Sequence, residues 1–417
     1  MPHAPAARNA ATKPAATTSA PARSLDLSRA FDPAAAAVND GTLPSAVIGV
    51  SDGHGTRALV AHPGPRDRGV TTESVYFLAS VTKPIVATAV MQLVDEGRLD
   101  LHAPIARYVP EWRGPARDAV TAWHVLTHTA GIIDVRQELL QRERPSYRGM
   151  LERICAADLQ SVPGERYAYA SDSFYLLAEA ISRLTGMPFA EALGRRLLEP
   201  LGMTDTTFDP RPRRSRVAAV HGVPLGNPLV RELVLRFLAK ATLPGGGLFG
   251  TAEDLLRFGR ALLPRDSGPG PRVLSQAAIE TMTSEQTAGI LEIHPDGATR
   301  DPHYALGWRK PGARGTTPGD AGAWTGIAQG AADAAAGTPD DIDGAQNAEA
   351  ARDAETSDSI VPASPGTFHH GGASGTRLWV DPERQLVFVF LSNQWAVTDA
   401  PMFATLREVY RAWDAAA

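Results

Sequence analysis

FLASVTKP, residues 77–84, contains a Ser-x-x-Lys tetrad at the beginning of a helical pattern. Ser80 and Lys83 are three residues apart, so on a helix their side chains share a face. A serine hydroxyl needs an adjacent base to become a nucleophile, and a lysine amine can be that base when burial or a helix N-terminus lowers its pKa. The tetrad therefore predicts a serine nucleophile with a lysine base. The alternative is an N-cap serine beside a solvated lysine.

The helical pattern continues beyond the tetrad. Pro84 is tolerated in a first turn, apolar residues continue from Ile85 to Val94, and Gly97 can end the helix. Further helices are predicted at 119–128, 173–185, 252–262 and about 401–413.

The two ends of the chain have strand patterns. Apolar segments at 45–50 and 56–60 flank the turn residues Asp52-Gly53, and segments at 376–380 and 386–391 flank Asp381-Pro382-Glu383-Arg384. Strands at both ends with helices between them predict one antiparallel sheet built from the two termini. A helical lobe, about residues 80–290, is inserted between them, and a cleft between lobes is a common place for a small-molecule site.

Composition and charge exclude several classes of function. The 417 residues carry a formal net charge of −5, which gives no reason to expect nucleic acid as a partner. No run of 18 apolar residues is present, so we expect no membrane span. The single cysteine, Cys155, excludes an intramolecular disulfide framework and a multi-cysteine metal site, and its apolar neighbours predict a place in the core.

Two segments depart from globular composition. Residues 1–25 are rich in alanine and proline and lack a continuous apolar stretch, which predicts a disordered tail without a signal peptide and a cytoplasmic location. Residues 331–360 contain ten alanines, eight acidic residues and no aromatic residue, so about 312–365 is predicted to be a disordered insertion. A lid is the alternative for that insertion. The remaining residues, 26–417, are predicted to form a single domain.

Two further segments contain residues that could take part in catalysis or substrate binding. Tyr169 lies in a loop just before an apolar helix and could be a second acid or base if a nearby lysine cation lowers its pKa, and Ser171 could donate or accept a hydrogen bond. An aromatic packing cluster with a helix cap is the alternative. In 368–376, glycines before a strand permit close approach of a ligand to an exposed backbone N–H. The alternative there is a glycine-rich turn.

Two other patterns do not support a site. His124 and His128 have a zinc-like i, i+4 spacing, but the following glutamate of a His-Glu-x-x-His motif and a third ligand are both lacking. Residues 245–250 are glycine-rich without a Gly-Lys-Ser/Thr ending, so a phosphate-binding loop is not expected.

Taken in order, these residues resemble the serine hydrolase family of class C β-lactamases, D-alanyl-D-alanine peptidases and family VIII carboxylesterases. The resemblance covers most of residues 45–395. The matching stretches are 77–84, 99–104, 108–110, 126–131, 169–171, 176–177, 246–248, 304–308 and 370–372.

The resemblance implies a β-lactamase/transpeptidase-like α/β (α+β) fold and an acyl-enzyme mechanism. Ser80 would attack the carbonyl, and Lys83 and Tyr169 would move its proton. The backbone amides of Ser80 and Ala373 would form the oxyanion hole. Four more residues would lie on the substrate side, namely His370, Gly372, Ser171 and Trp308. No cofactor or metal is implied.

Two positions depart from the family pattern. Ser171 stands where the family has the asparagine of Tyr-x-Asn, and His370-Gly371-Gly372 stands where it has Lys-Thr-Gly or its His-x-Gly variant. A histidine is mostly neutral at pH 7, so a permanent cation is lost. We therefore expect hydrolysis of a small ester, or less readily an amide. The alternatives are a β-lactamase or D-amino-acid peptidase with the same chemistry, and a catalytically silent binding member of the fold.

Overall fold

The computed structural model describes residues 25–135, 142–223, 228–264, 272–293, 297–312 and 361–416. The α-helices are α1 (Asp32–Asn39), α2 (Thr82–Asp95), α3 (Ala122–Leu126), α4 (Tyr147–Ala156), α5 (Phe174–Thr185), α6 (Phe189–Leu193), α7 (Pro228–Ala241), α8 (Ala252–Ala261), α9 (Gln276–Thr283) and α10 (Ala400–Ala416). Single turns of 3-10 helix are Ala79–Val81, Ile105–Arg107, Arg117–Ala119 and Arg211–Arg213, and Gly194–Leu198 is a π-helical turn.

The strands are β1 (Ser45–Ser51), β2 (Thr56–Pro63), β3 (Tyr76–Phe77), β4 (Phe249–Gly250), β5 (Glu292–Ile293), β6 (Thr299–Arg300), β7 (Phe368–Gly372), β8 (Thr376–Asp381) and β9 (Leu386–Ser392). Five of them form one sheet in the order β2-β1-β9-β8-β7, in which every neighbouring pair is antiparallel. The first and last parts of the chain therefore meet in the middle of this sheet, where β1 pairs with β9. The predicted sheet built from both termini is confirmed.

Both faces of the central strands are buried, which explains their nearly continuous apolar sequence. Along β9, Val387 and Val389 pack into the cluster shared with the helical lobe, whereas Phe388 and Phe390 pack into a second cluster. That second cluster includes residues of α1 and α10. The sheet is therefore covered on one face by the lobe and on the other by the two terminal helices.

The helical lobe places α2 deep inside the molecule. The first twelve residues of this helix are all buried, including Lys83 at its second position. Pro84 lies in the first turn, where an N–H has no intrahelical partner, and Gly97 follows the helix end with φ +68°. The predicted helix at 119–128 is wrong in its bounds, because Thr121 is extended and caps α3, which ends at Leu126.

Several predictions concern residues outside those that the structure describes. The tail at 1–25 falls there except for Leu25, and so does the insertion except for Gly312 and residues 361–365. Val361 and Ser364 are buried, and Ser364 donates a hydrogen bond from its hydroxyl to Asp381. The packed chain thus resumes at Val361 and not after residue 365. Among the described helices, none is both long and apolar enough to cross a membrane.

Candidate active site

Ser80 lies at the junction between β3 and α2. It is the second residue of the 3-10 turn Ala79–Val81, so its backbone N–H belongs to a helix start that lacks intrahelical acceptors. Ala79 adopts φ +45°, a left-handed conformation that costs an L-residue about 1 kcal/mol. The chain therefore turns sharply just before the hydroxyl of Ser80.

The Lys83 amine lies among three oxygen atoms. Its Nζ is 3.4 Å from Ser80 Oγ, 2.9 Å from Ser171 Oγ and 2.7 Å from the carbonyl oxygen of Gly245. Gly245 approaches so closely that a Cβ there would lie 2.2 Å from the Ser171 carbonyl oxygen. The glycine-rich run 245–250 thus supplies an acceptor for Lys83. Ser80, Lys83 and Ser171 are brought together.

Burial lowers the pKa of Lys83 to about 7. The carboxyl groups of Asp134 and Asp172 oppose this shift, whereas the positive charge of Arg309 adds to it. About half of the lysine side chains are therefore uncharged at neutral pH, as a general base requires.

Two carboxyl groups lie on the Lys83 side of the site. Asp134 accepts a hydrogen bond from the Asp172 N–H at 2.7 Å, and Asp172 accepts one from the Val135 N–H at 2.9 Å. Burial raises the pKa of both carboxyl groups, and the charge of Asp134 contributes further to the raised pKa of Asp172. Their mutual repulsion favours the protonated form of at least one of them. Neither residue was predicted as part of the site.

Tyr169 lies beside the lysine. Its ring centroid is 4.5 Å from Lys83 Nζ and 4.2 Å from the ring centroid of His128. The guanidinium of Arg309 lies 5.5 Å from the same ring. Tyr169 is therefore within the group of residues around Lys83, between the neutral imidazole of His128, the Lys83 amine and the cationic Arg309 side chain.

The end of β7 and the start of β8 are fixed to the segment before Ser80. Ser374 Oγ donates to the Phe77 carbonyl at 2.6 Å, and Thr376 Oγ1 donates to the Leu78 carbonyl at 2.9 Å. A Cβ on Gly372 would lie 2.4 Å from the Leu78 carbonyl oxygen, which explains the glycine. Within the described part of the chain, the N–H of Ala373 between these contacts donates to no protein acceptor. It is available to a ligand near Ser80.

His370 is buried and hydrogen-bonded at both nitrogens. Its Nε2 is 3.0 Å from Tyr304 Oη, and its Nδ1 is 2.8 Å from the Gly371 carbonyl oxygen. Burial, together with the charges of Arg309 and Lys83, holds the pKa of His370 well below 6.5. The expectation that His370 contacts substrate is not supported, because both nitrogens already have partners inside the protein.

Arg309 brings a permanent positive charge to the site. Its backbone pairs with His369 on β7, and its guanidinium lies 5.5 Å from the rings of both Tyr169 and Tyr304. Its charge lowers the pKa of Lys83, and it also lowers the pKa of His370. The lysine of Lys-Thr-Gly is absent at position 370, but Arg309 supplies a permanent positive charge nearby. No pattern in the sequence singled out this arginine.

Trp308 does not belong to the substrate side. It is fully buried, with its ring stacked 6.0 Å from Phe258 and edge-on to Phe368 at 4.8 Å. Its place in the matching stretch 304–308 reflects core packing between α8 and β7. Tyr304, from the same stretch, is the residue that reaches the site.

The pair of histidines with zinc-like spacing does not share a face. His124 accepts the Thr121 N–H with its Nδ1 as part of a capping box, whereas His128 follows the helix with φ +57°. Among the described residues, no group of three or more acidic, histidine or cysteine side chains could hold a metal ion. Cys155 is half-buried on α4, and burial raises the pKa of its thiol to about 11, which makes it a poor nucleophile.

Comparison with known proteins agrees with this fold. The model of the beta-lactamase family matches residues 28–410. The chain is 32% identical over 311 residues to esterase EstB of Burkholderia gladioli, which covers 62% of this chain and 74% of that protein. It is also 32% identical over 274 residues to penicillin-binding protein 4 of Amycolatopsis lactamdurans, which covers 64% of this chain and 71% of that protein.

Among solved structures, a family VIII carboxylesterase is similar with a TM-score of 0.70 at 20% identity, covering 93% of this chain and 97% of that one. At this identity the similarity shows the fold alone. The family model, by contrast, spans nearly the whole chain and includes every residue around Lys83. The chain therefore belongs to the beta-lactamase family, whose members are serine hydrolases.

Proposed function

We propose that the protein hydrolyses small carboxylic esters through an acyl-enzyme on Ser80. The observation that carries the proposal is the Ser80 hydroxyl 3.4 Å from an amine whose pKa is about 7. A neutral lysine has two N–H groups and one lone pair. With the two N–H groups directed at Gly245 and Ser171, the lone pair remains for the proton of Ser80.

The reaction would proceed in two steps. Ser80 Oγ bonds to the ester carbonyl carbon while its proton passes to Lys83, and the amide N–H groups of Ser80 and Ala373 stabilise the oxyanion. The proton then passes to the leaving alcohol, with Tyr169 sharing in the transfer, and the ester C–O bond breaks. In the second step a water molecule attacks the acyl carbonyl carbon while its proton passes to Lys83. The bond to Ser80 Oγ then breaks, the proton returns to Ser80, and the acid is released.

The preference for esters has two supports. The relative with 32% identity over 311 residues is named an esterase. The neutral His370 directs both of its nitrogens into the protein and offers no charge to a substrate carboxylate.

A second candidate has its own observation. A β-lactamase or D-amino-acid peptidase acts on substrates that carry a carboxylate, and the Arg309 guanidinium beside Tyr169 and Tyr304 could bind one. The similarity to a penicillin-binding protein points the same way. Both candidates use Ser80 and Lys83 in the same roles.

The test compares the wild type with Ser80→Ala. Mass spectrometry after fluorophosphonate treatment should locate the adduct on Ser80, and the alanine variant should lose both the adduct and turnover of a short-chain aryl ester. The variant should unfold at nearly the same temperature, because a helix start tolerates alanine at about 1 kcal/mol. Labelling that survives in the variant would rule out Ser80. A wild type with higher kcat/KM for a chromogenic cephalosporin than for the aryl ester would favour the second candidate.

A further inference from the structure

Three buried side chains form a hydrogen-bonded row beside Tyr169. His128 Nε2 is 3.2 Å from Tyr304 Oη, which in turn is 3.0 Å from His370 Nε2. All three side chains are at most 2% exposed. The row joins the loop after α3 to strand β7, two segments more than 200 residues apart in the chain.

Backbone groups fix the protons at both ends of this row. The Ala170 N–H can only donate, so the His128 Nδ1 that it contacts at 3.1 Å carries no proton. The Gly371 carbonyl can only accept, so the His370 Nδ1 that it contacts at 2.8 Å is protonated. Burial lowers the pKa of both imidazoles well below 6.5, and each therefore carries one proton.

The hydroxyl between them then has one orientation. Neutral His128 carries its proton on Nε2 and donates it to Tyr304 Oη. Neutral His370 has a lone pair on Nε2, which accepts the proton of the Tyr304 hydroxyl. Every donor in the row meets an acceptor. The reverse assignment would place two hydrogens between His128 Nδ1 and the Ala170 nitrogen, and it would place two lone pairs between His370 Nδ1 and the Gly371 carbonyl oxygen.

We propose that Tyr304 is a positioning residue whose hydroxyl holds the His370 ring in place against the Gly371 carbonyl and thereby fixes the backbone that leads from Gly371 to the Ala373 amide. Its effect on turnover rests on the proposed ester hydrolysis, whereas its effect on the His370 ring does not. A residue in this role does not touch the reacting atoms. It acts through His370, whose Nδ1–H holds the Gly371 carbonyl.

The backbone after His370 has little freedom to absorb a change. Gly372 lies against the Leu78 carbonyl, and Ser374 is bonded to Phe77. A rotation of the Gly371 peptide would therefore be passed on to the Ala373 N–H. A misplacement of about 1 Å in an active site can cost two orders of magnitude in rate, so control of this peptide matters for the oxyanion hole.

The test uses Tyr304→Phe, which retains the ring contacts with His128 at 5.0 Å and Tyr167 at 5.6 Å. Histidine tautomers are read from ¹⁵N chemical shifts of the imidazole nitrogens. In the wild type we expect His370 as the Nδ1–H form and His128 as the Nε2–H form. In the variant the Gly371 carbonyl still requires the Nδ1–H form of His370, but we expect the ¹⁵N signal of His370 Nε2 to move to that of a nitrogen without a hydrogen-bond donor. We expect kcat for an aryl ester to fall by about tenfold, with KM changed less than twofold.

The matched control is Tyr167→Phe. Tyr167 is also buried, and its ring lies 5.8 Å from that of His128, but it forms neither of the two hydrogen bonds that join the row. We expect the wild-type ¹⁵N signal of His370 Nε2 and the wild-type kcat in this variant. An unchanged kcat in Tyr304→Phe would overturn the proposal, as would an Nε2–H form of His370 in the wild type.

A second pair of variants tests the row from its other end, should Tyr304→Phe fail to fold. His128→Gln retains an N–H donor for Tyr304, whereas His128→Met removes it. We expect the wild-type ¹⁵N signal of His370 Nε2 and the wild-type kcat to persist in the first variant and both to change in the second. The same signal and the same kcat in both variants would overturn the proposal. Failure of the proposed function itself is recognised separately, by the absence of fluorophosphonate labelling at Ser80 in the wild type.

Discussion

The pKa of Lys83 determines the pH range in which Ser80 has a neutral base beside it. Three charged or titratable side chains act on this pKa, namely Asp134, Asp172 and Arg309. A base must be unprotonated, so kcat/KM for an ester is expected to rise with pH and to level off above about 7.

Arg309→Gln tests the electrostatic part of this account. Arg309 lowers the pKa of Lys83, so its removal should raise that pKa and move the acidic limb of the pH profile to higher pH. If the pKa of Lys83 rose by one unit, kcat/KM at a given pH on the acidic limb would fall by about tenfold. The measurement is kcat/KM for an aryl ester between pH 5 and 9. Arg309→Lys retains the charge and should keep the limb near its wild-type position. A limb that is unchanged in the glutamine variant would contradict a direct effect of the charge.

At the scale of elements, the site is built where three segments meet. The turn before α2 carries Ser80, the loop before α5 carries Tyr169 and Ser171, and the segment before β4 carries Gly245. Leu78 N–H donates to the Leu248 carbonyl, and Leu248 N–H donates to Thr82 Oγ1, so the first and third of these segments are held together. Lys83 lies between all three.

Gly245→Ala should disturb this meeting point. Its Cβ would lie 2.2 Å from the Ser171 carbonyl oxygen, so one of the two backbones must move, and Lys83 would lose the alignment of two of its acceptors. We expect a loss of about 1–3 kcal/mol in the free energy of unfolding. We also expect a fall of about tenfold or more in kcat for an aryl ester.

The matched control is Gly55→Ala in the β1–β2 turn, where a Cβ would meet no atom within 4 Å. This variant should remain within about 0.5 kcal/mol of the wild type, with unchanged kcat. Urea unfolding and steady-state kinetics of both variants supply the numbers. The same free energy of unfolding and the same kcat in both variants would show that the backbone at Gly245 can accommodate a Cβ without loss of stability or activity.

At the scale of the whole molecule, the five-stranded sheet separates two packed regions. The lobe with Ser80 and Lys83 lies on one face, and α1 and α10 cover the other. On that second face, Tyr410 Oη donates to the buried Asp381 carboxylate at 2.8 Å and accepts from Trp379 Nε1 at 2.9 Å. We therefore expect that contacts on this second face contribute to the free energy of unfolding without affecting catalysis.

Tyr410→Phe tests this separation. Loss of the hydroxyl leaves the Trp379 N–H unpaired in a buried place and removes one donor from Asp381, so we expect the free energy of unfolding to fall by about 1–3 kcal/mol. Because α10 lies across the sheet from Lys83, kcat/KM for an aryl ester should stay within twofold of the wild type. A large fall in kcat/KM at a temperature where the variant is folded would show that the two faces are coupled.

The pattern of the sequence already predicted the framework of this protein. Strand and helix periodicity is a local property, and it placed β1, β2, β8 and β9 within a few residues of their observed bounds. The Ser80–Lys83 spacing likewise brings two side chains together without help from distant parts of the chain. The ordered motifs predicted the family, which the match over residues 28–410 confirms.

Only the tertiary structure decided how the site is charged and oriented. Lys83 meets Gly245 across 162 residues, and His128 meets Tyr304 across 176. No local pattern encodes such contacts, because they follow from the packing of the lobe against the sheet. For the same reason the sequence assigned Trp308 and His370 to the substrate side, although packing buries the first in the core and surrounds the second with protein acceptors and donors. Spacing along the chain brought Ser80 and Lys83 together, and burial set the charge of Lys83.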